Sequence, residues 1–124
     1  MSGTPGRRPV TVRFKSRDFS FKVKPGYLRV AHAYGESNTI VVVNDTDLKV
    51  EFEFPDGLMK TPAGGAVSKL TLAKKGDTAD LDVNPDYGGG APSVVVEYDV
   101  CVYLAGNLCL SASGGSRPEV EIRR

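Results

Sequence analysis

Two cysteines, one histidine and a group of aspartates are the residues of this 124-residue chain whose types could support chemistry. Cysteine thiols can join in a disulfide, react as nucleophiles or bind a metal, and a histidine can act as a general base. Clustered carboxylates in a flexible loop can bind calcium. The residues concerned are Cys101, Cys109, His32, Asp77, Asp80, Asp82 and Asp86.

The spacing of the two cysteines predicts that they face each other on a β-hairpin. A three-residue loop of residues 104–106 places Cys101 directly opposite Cys109. The same register pairs Val102 with Leu108. Facing residues have Cβ atoms about 4.5 to 5.5 Å apart, and the closer type of pair would allow a disulfide. A disulfide and two reduced core thiols are both compatible with this arrangement, whereas a metal site would need two further ligands.

The single histidine has no catalytic partner that the sequence identifies. His32 shares one face of a predicted strand with Val30 and Tyr34, and we interpret it as a structural or surface residue. No Gly-x-Ser-x-Gly motif is present, and the segment SASGGS lacks the lysine of a phosphate-binding loop. We therefore expect a protein that is not an enzyme.

The aspartates between Asp77 and Asp86 predict either a solvated acidic edge or a calcium site. Asp80 and Asp82 project from one face of a strand towards the loop that holds Asp86. The sequence lacks the glutamate spacing of an EF-hand, and charges commonly protect an edge strand from pairing with another molecule. The acidic edge is the preferred interpretation. The alternative is a calcium- or carbohydrate-binding site formed by Asp80, Asp82 and Asp86.

Apolar residues at every second position predict strands with one buried face and one wet face. Turn signals recur every 8 to 12 residues, and the chain has 14 glycines and 8 prolines. This pattern predicts an all-β fold, an antiparallel β-sandwich of about 7–9 strands with Greek-key topology. The run Ile40–Val43 is typical of a strand in the middle of a sheet or covered on both faces. Residues 38–57 predict two antiparallel strands around a polar corner.

The length predicts one domain over residues 9–124, preceded by a flexible tail over residues 1–8. No stretch approaches the apolar length of a membrane-spanning helix, and the first residues do not resemble a secretory signal. A cytoplasmic protein is the default expectation, or a secreted one if a leader has been removed. Asn44 begins a glycosylation sequon, which we interpret as a turn.

The small net charge conceals an asymmetry along the chain. Eight basic residues against Asp18 alone give residues 1–30 a charge of +7, so the net charge of +1 leaves −6 for the remainder. If the first and last strands are neighbours, Arg13 and Lys15 lie beside Glu119 and Glu121. We favour this internal pairing over phosphate binding, since the aromatic residues alternate inwards and leave few rings for base stacking. Nucleic acid is therefore not an expected partner.

The order of four segments resembles that of the cupredoxin-like sandwiches. The segments are TIVVVNDTDLKVEFEFPDG, TPAGGAVSKLTL, VVVEYDVCVYLAGNLCL and RPEVEI, which lie within residues 38–122. In that family a strand ending in Asn-Asp leads to a second strand, a Pro/Gly turn precedes the next, and a Tyr-x-x-Cys strand comes near the end. The polar corner is also similar to that of immunoglobulin-like sandwiches. Either resemblance implies the same architecture.

The copper site of the cupredoxin family does not carry over, because its ligands are missing. A blue-copper site needs two histidines and a thiolate, usually with a weak axial methionine. The family's histidine position after the corner falls near Lys49 or Val50, and no histidine follows Cys101. We expect no metal and no cofactor.

The expected function is that of a non-catalytic binding or structural module whose partner is another protein or a second copy. Scaffolds of strands place recognition on loops, so the expected contact segments are residues 44–47, 87–90 and 111–116. The predicted binding residues are Asn44, Asp45, Asp47, Tyr87 and Ser113.

Overall fold

The described part of the chain consists of β-strands joined by turns. A computed structural model describes residues 8–15, 20–31, 38–89, 91–104, 108–111 and 117–123. The first strands are β1 (Arg8–Lys15), β2 (Ser20–Lys24), β3 (Tyr27–Ala31), β4 (Thr39–Asp45), β5 (Lys49–Glu53) and β6 (Met59–Lys60). They are followed by β7 (Ala66–Val67), β8 (Lys69–Leu72), β9 (Thr78–Val83), β10 (Ser93–Glu97), β11 (Asp99–Leu104), β12 (Leu108–Ser111) and β13 (Glu119–Arg123).

The all-β class is confirmed, because no helix occurs in the described ranges. It follows that no helix in these ranges has the length and apolar character needed to cross a membrane. Of the predicted tail, residues 1–7 lie outside the described residues, and Arg8 already belongs to β1.

The strands form three hydrogen-bonded sheets. A six-stranded sheet has the order β2-β1-β4-β9-β6-β7, a three-stranded sheet has the order β10-β13-β3, and a four-stranded sheet has the order β12-β11-β5-β8. The run Ile40–Val43 belongs to β4, which lies between β1 and β9, so the prediction of a strand in the middle of a sheet is confirmed.

The prediction of a purely antiparallel arrangement is wrong, because two strand pairs are parallel. β1 runs parallel to β4, with Val10 beside Val42, and β13 runs parallel to β3, with Ile122 beside Val30. Parallel strands need a long connection, and here the chain passes through β2 and β3 before it returns as β4. The alternation of a strand reports which face is buried, and it carries no information on the direction of the neighbouring strand.

The described ranges contain thirteen strands, where seven to nine are predicted for the chain. β6 and β7 have only two residues each, which is too short for an alternating pattern to be recognised. The segment 93–104 reads as one strand in the sequence, yet it divides at Tyr98 into β10 and β11, which belong to different sheets.

Inward-facing residues of all three sheets form a single core. The predicted alternation is seen directly in β4 and β5, where buried residues occupy every second position. Phe52 and Phe54 lie with ring centroids 5.9 Å apart, and Phe54 lies 5.2 Å from Tyr98. Further apolar side chains at most 2% exposed are Val10, Val12, Val30, Ile40, Val42, Val50, Leu58, Met59, Leu81, Val83, Val100, Val102, Val120 and Ile122.

The two strands around the polar corner are not paired with each other. β4 belongs to the six-stranded sheet and β5 to the four-stranded sheet, so the corner carries the chain from one sheet to another. The two predicted strands and the polar corner are present, and the strands lie in different sheets. A sequence pattern shows where a strand stops, whereas the sheet that the next strand joins depends on contacts distant in the sequence.

The first and last strands are not neighbours either. β1 pairs with β2 and β4, whereas β13 pairs with β10 and β3. Arg13 consequently pairs with Asp45 across the parallel strands, with Nε 3.1 Å from Oδ2. The predicted neighbours Glu119 and Glu121 lie in the three-stranded sheet.

Candidate functional site

Asn44 is the centre of the polar corner between β4 and β5, and it is fully buried. Its amide group donates hydrogen bonds to the carbonyl oxygens of Leu48 and Leu72, at 2.8 and 2.9 Å. Its Oδ1 accepts the backbone N–H of Thr46 at 2.9 Å and lies 2.7 Å from the Thr46 hydroxyl. That hydroxyl accepts the N–H of Leu48 at 3.0 Å. Every polar atom of the Asn44 side chain therefore has a partner within the protein.

The backbone of Asn44 joins this corner to a second crossover. Its N–H donates to the carbonyl of Asp77 at 3.0 Å, and its carbonyl accepts the N–H of Gly76 at 2.7 Å. Gly76 and Asp77 lie between β8 of the four-stranded sheet and β9 of the six-stranded sheet. Asn44 thus holds two connections between the sheets side by side. Because its amide is buried and engaged in these hydrogen bonds, Asn44 positions the corner.

Asp45 and Asp47 are the accessible carboxylates of the corner. They line a hollow of about 350 Å³ together with Phe14, Thr46, Leu48 and Lys75. Asp47 is exposed, whereas Asp45 is half-exposed and is paired with Arg13. Two of the predicted binding residues therefore lie at one hollow, which we call the corner hollow.

The other predicted binding residues are not placed at this hollow. Tyr87 is partly buried and packs against the core, and its backbone N–H donates to the carbonyl of Asn84 at 3.2 Å. Ser113 lies outside the described residues.

The structure does not gather the aspartates of the calcium hypothesis into a ligand set. Asp82 accepts a hydrogen bond from the Thr39 hydroxyl at 2.7 Å, and the carboxylate of Asp77 accepts the backbone N–H of Lys74 at 3.0 Å. Among the described residues, no three His, Cys, Asp or Glu side chains lie together as a metal site. These carboxylates instead take part in cross-strand and turn contacts, while Asp86 is exposed.

A second hollow lies on the outward face of the four-stranded sheet and has a volume of about 300 Å³. β5 contributes Glu51 and Glu53, β11 contributes Asp99, Cys101 and Tyr103, and β12 contributes Cys109. Arg117 closes one side. We call this hollow the disulfide groove. Its lining carries three carboxylates against one guanidinium group.

Tyr103 is held at this groove by two neighbours. Its hydroxyl donates to Oε1 of Glu51 at 3.1 Å, and the Nζ of Lys49 lies 4.4 Å from its ring centroid. The hydrogen bond to Glu51 is the main cause that raises the pKa of Tyr103, and burial and the nearby negative charges act in the same direction. The phenol therefore stays protonated at neutral pH and acts as a donor.

The cations around the groove make only exposed ion pairs with its carboxylates. Lys69 lies 3.8 Å from Glu53, and Arg117 lies 3.1 Å from Asp99 and 3.9 Å from Glu97. Glu51 has hydroxyl partners instead, Tyr103 and, at 3.4 Å, Thr71. Exposed pairs of this kind contribute about 0 to 1 kcal/mol, so a partner's cation can replace them at little cost.

The two cysteines are joined by a disulfide, with Cα atoms 5.6 Å apart. They are not directly opposite each other, because Cys101 faces Ser111 and Cys109 faces Tyr103. The predicted hairpin register is therefore wrong by two residues. A shift by two preserves the face on which each side chain lies. The cysteines consequently remain on one face as diagonal neighbours, and the two sulfurs still meet.

The sequence predicts contacts on loops, whereas the disulfide groove lies on the face of a sheet. Glu51 and Glu53 are recognisable in the sequence as outward residues of one strand. Asp99 joins them only because β11 pairs with β5, with Asp99 beside Glu53 and Cys101 beside Glu51. Glu53 and Asp99 are 46 positions apart along the chain, and no local pattern reports a pairing of that range.

Comparison of the chain with models of protein families, with curated proteins and with solved structures found no significant match. The resemblance to cupredoxin-like or immunoglobulin-like sandwiches therefore gains no support from known proteins.

Proposed function

We propose that this chain is a non-catalytic protein-binding module whose disulfide groove holds a cationic segment of a partner. The observation that carries the proposal is the convergence of Glu51, Glu53 and Asp99 on one shallow hollow, where Arg117 is the one cation among the described lining residues. Complementary charge gives such a surface its specificity and its association rate. Tyr103 adds an aromatic face of the kind that is enriched at protein interfaces.

The proposal that the chain is non-catalytic is supported by the bonds that its thiols and buried polar groups already make within the protein. The two thiols are consumed in the disulfide, so neither is a free nucleophile. Asn44 and Thr46 are engaged with each other and with the backbone of the corner. His32 lies outside the described residues.

The partner in this proposal is another protein or a second copy of the chain. Lys22 and Lys24 are exposed on β2, an edge strand of the six-stranded sheet, so the chain itself presents a cationic surface. Sedimentation velocity over a range of protein and salt concentrations separates the two cases. A second copy as the partner predicts association that weakens as salt rises, because charge pairs at the surface are screened.

We also infer a sandwich in which the six-stranded sheet faces the other two sheets, of cupredoxin-like or immunoglobulin-like type. The shared core and the crossovers joined at Asn44 support this arrangement. An experimental structure in which the sheets do not face each other across the core would contradict it.

The calcium alternative has no such support, and a thermal melt with calcium and with EDTA tests it.

The binding proposal is tested with a labelled hexaarginine peptide and fluorescence anisotropy. The double variant Glu51→Gln and Glu53→Gln is expected to bind the peptide about tenfold more weakly than the native chain, since both lost charges face the groove. A matched control, Asp47→Asn and Asp86→Asn, removes the same charge from exposed loop positions. Equal loss of affinity in both double variants, or no binding by the native chain, would overturn the proposal. A loss confined to the control would place binding on the loops instead.

A further inference from the structure

The edge strand β12 is attached to the rest of the protein without any buried side chain of its own. Within the described ranges it lies at the edge of the four-stranded sheet and pairs only with β11, over four residue pairs. None of its side chains is buried, and Leu108 at its start is 63% exposed. β8, at the other edge of the same sheet, contributes the buried Leu72. β12 is therefore held by its backbone hydrogen bonds and by one covalent link, without a share of the core.

That link is the disulfide between Cys109 of β12 and Cys101 of β11. Cys109 is exposed and Cys101 is partly buried, so a thiolate from solution reaches the Cys109 sulfur more readily. Both sulfurs lie in the disulfide groove, and Cys101 is the direct cross-strand neighbour of Glu51. The negative field of the three groove carboxylates therefore acts on an attacking thiolate.

We propose that the Cys101–Cys109 disulfide is a thiol-exchange site that controls the attachment of β12, and that the surrounding carboxylates select against anionic thiols. In the first step a thiolate attacks the sulfur of Cys109, a new S–S bond forms, and Cys101 leaves as a thiolate that takes a proton from water. In the second step another thiol of the same kind releases Cys109. In the overall reaction, one protein disulfide and two small-molecule thiols are converted to two cysteine thiols and one small-molecule disulfide.

Opening the disulfide has a structural consequence because the ladder is short. The link closes a loop with a sequence separation of only 8 residues and removes much of the freedom that β12 would gain by detaching. Once it is cut, four residue pairs and no buried side chain hold the strand. β12 then separates from β11 more often, and the backbone edge of β11 is uncovered.

The attachment is tested by hydrogen exchange followed by mass spectrometry. The peptide that covers residues 108–111 is expected to exchange about tenfold faster or more after reduction. The variant Cys101→Ser and Cys109→Ser should match the reduced protein. The peptide that covers residues 119–123 serves as an internal control, because Val120 and Ile122 belong to the core. Unchanged exchange at 108–111 after complete reduction would overturn the proposal, as would free thiols in the protein kept under oxidising conditions.

The charge selection is tested by comparing the reduction rates with cysteamine, mercaptoethanol and mercaptoethanesulfonate, each corrected for its thiolate fraction and divided by its rate with an uncharged small-molecule disulfide, because thiolates of lower pKa are weaker nucleophiles. Their thiolates differ in net charge, and we expect the rate to fall by roughly threefold or more with each added negative charge. The variant Glu51→Gln and Glu53→Gln should reduce this difference, whereas Asp47→Asn and Asp86→Asn should preserve it. Equal rates for the three thiols with the native protein would refute the selection.

Discussion

At the scale of single residues, the most consequential side chain is a polar one inside the core. Asn44 is fully buried, yet its amide is fully bonded, and its partners belong to the corner itself and to β8. A buried amide without partners costs free energy, whereas a satisfied one fixes a unique geometry. An asparagine that reads in the sequence as a turn residue is, in the structure, the connection between two crossovers.

We therefore expect Asn44→Ala to lower the free energy of unfolding by about 3 kcal/mol, because it leaves the carbonyls of Leu48 and Leu72 without donors. Urea denaturation followed by circular dichroism measures the change. Asp47→Ala in the same corner should change the stability by less than about 0.5 kcal/mol, since Asp47 is exposed. Equal effects of the two substitutions would show that the amide network does not stabilise the corner.

At the scale of elements, β13 carries a carboxylate on the outward face of its sheet that gathers donors from both neighbouring strands. Oε1 of Glu121 accepts the hydroxyl of Tyr27 from β3 at 2.7 Å. Oε2 accepts Ser93 from β10 at 3.1 Å and Arg123 at 3.0 Å. The Tyr27 hydrogen bond is the main cause that lowers the pKa of Glu121, followed by that of Arg123, and burial acts in the opposite direction. One side chain thus joins all three strands of the sheet.

The direction of this pKa shift predicts an acid-sensitive contribution to stability. The folded-state pKa of Glu121 lies below its ordinary value of 4.5. The contribution is therefore fully present above that value and is lost as the pH falls through the folded-state pKa. Tyr27→Phe should destabilise the protein clearly at about pH 7 and less at about pH 2.5, as measured by urea denaturation at both values. Ser93→Ala should act in the same direction and more weakly. An equal loss at both pH values for Tyr27→Phe would contradict this role of Glu121.

At the scale of the whole molecule, the three sheets depend on one another. Buried residues from each of them belong to one core cluster, and both crossovers joined at Asn44 connect the six-stranded sheet to the four-stranded sheet. No sheet therefore has a core of its own that could persist after the others are lost.

The shared core predicts a single cooperative unfolding transition. Near-ultraviolet circular dichroism reports the packing of the tyrosines, and far-ultraviolet circular dichroism reports the strands. With the disulfide intact, the two signals should change at the same urea concentration. A far-ultraviolet signal that persists after the near-ultraviolet signal has vanished would show that one sheet folds independently.

The candidate site shows how far sequence reasoning can reach. The outward position of Glu51 and the shared face of Cys101 and Cys109 follow from alternation, and both are found in the structure. The groove that unites them depends on the pairing of β5 with β11. The sequence also favours contacts on the loops around Asn44 and Tyr87; these two side chains turn towards the core, whereas Asp47 in the same corner is exposed.

The sequence by itself determined the all-β class, the inward phenylalanines and valines, and the polar corner at Asn44, because each follows from the period of two along a strand or from local turn chemistry. Only the tertiary structure decided which two strand pairs are parallel and where the chain passes from one sheet to another, at the corner and at Tyr98. It also decided the ion-pair partner of Arg13 and the cross-strand partner of Cys101. The physical reason is that alternation records what faces water, whereas strand pairing depends on hydrogen bonds between backbones, which are nearly the same for every residue type and leave no mark on the sequence.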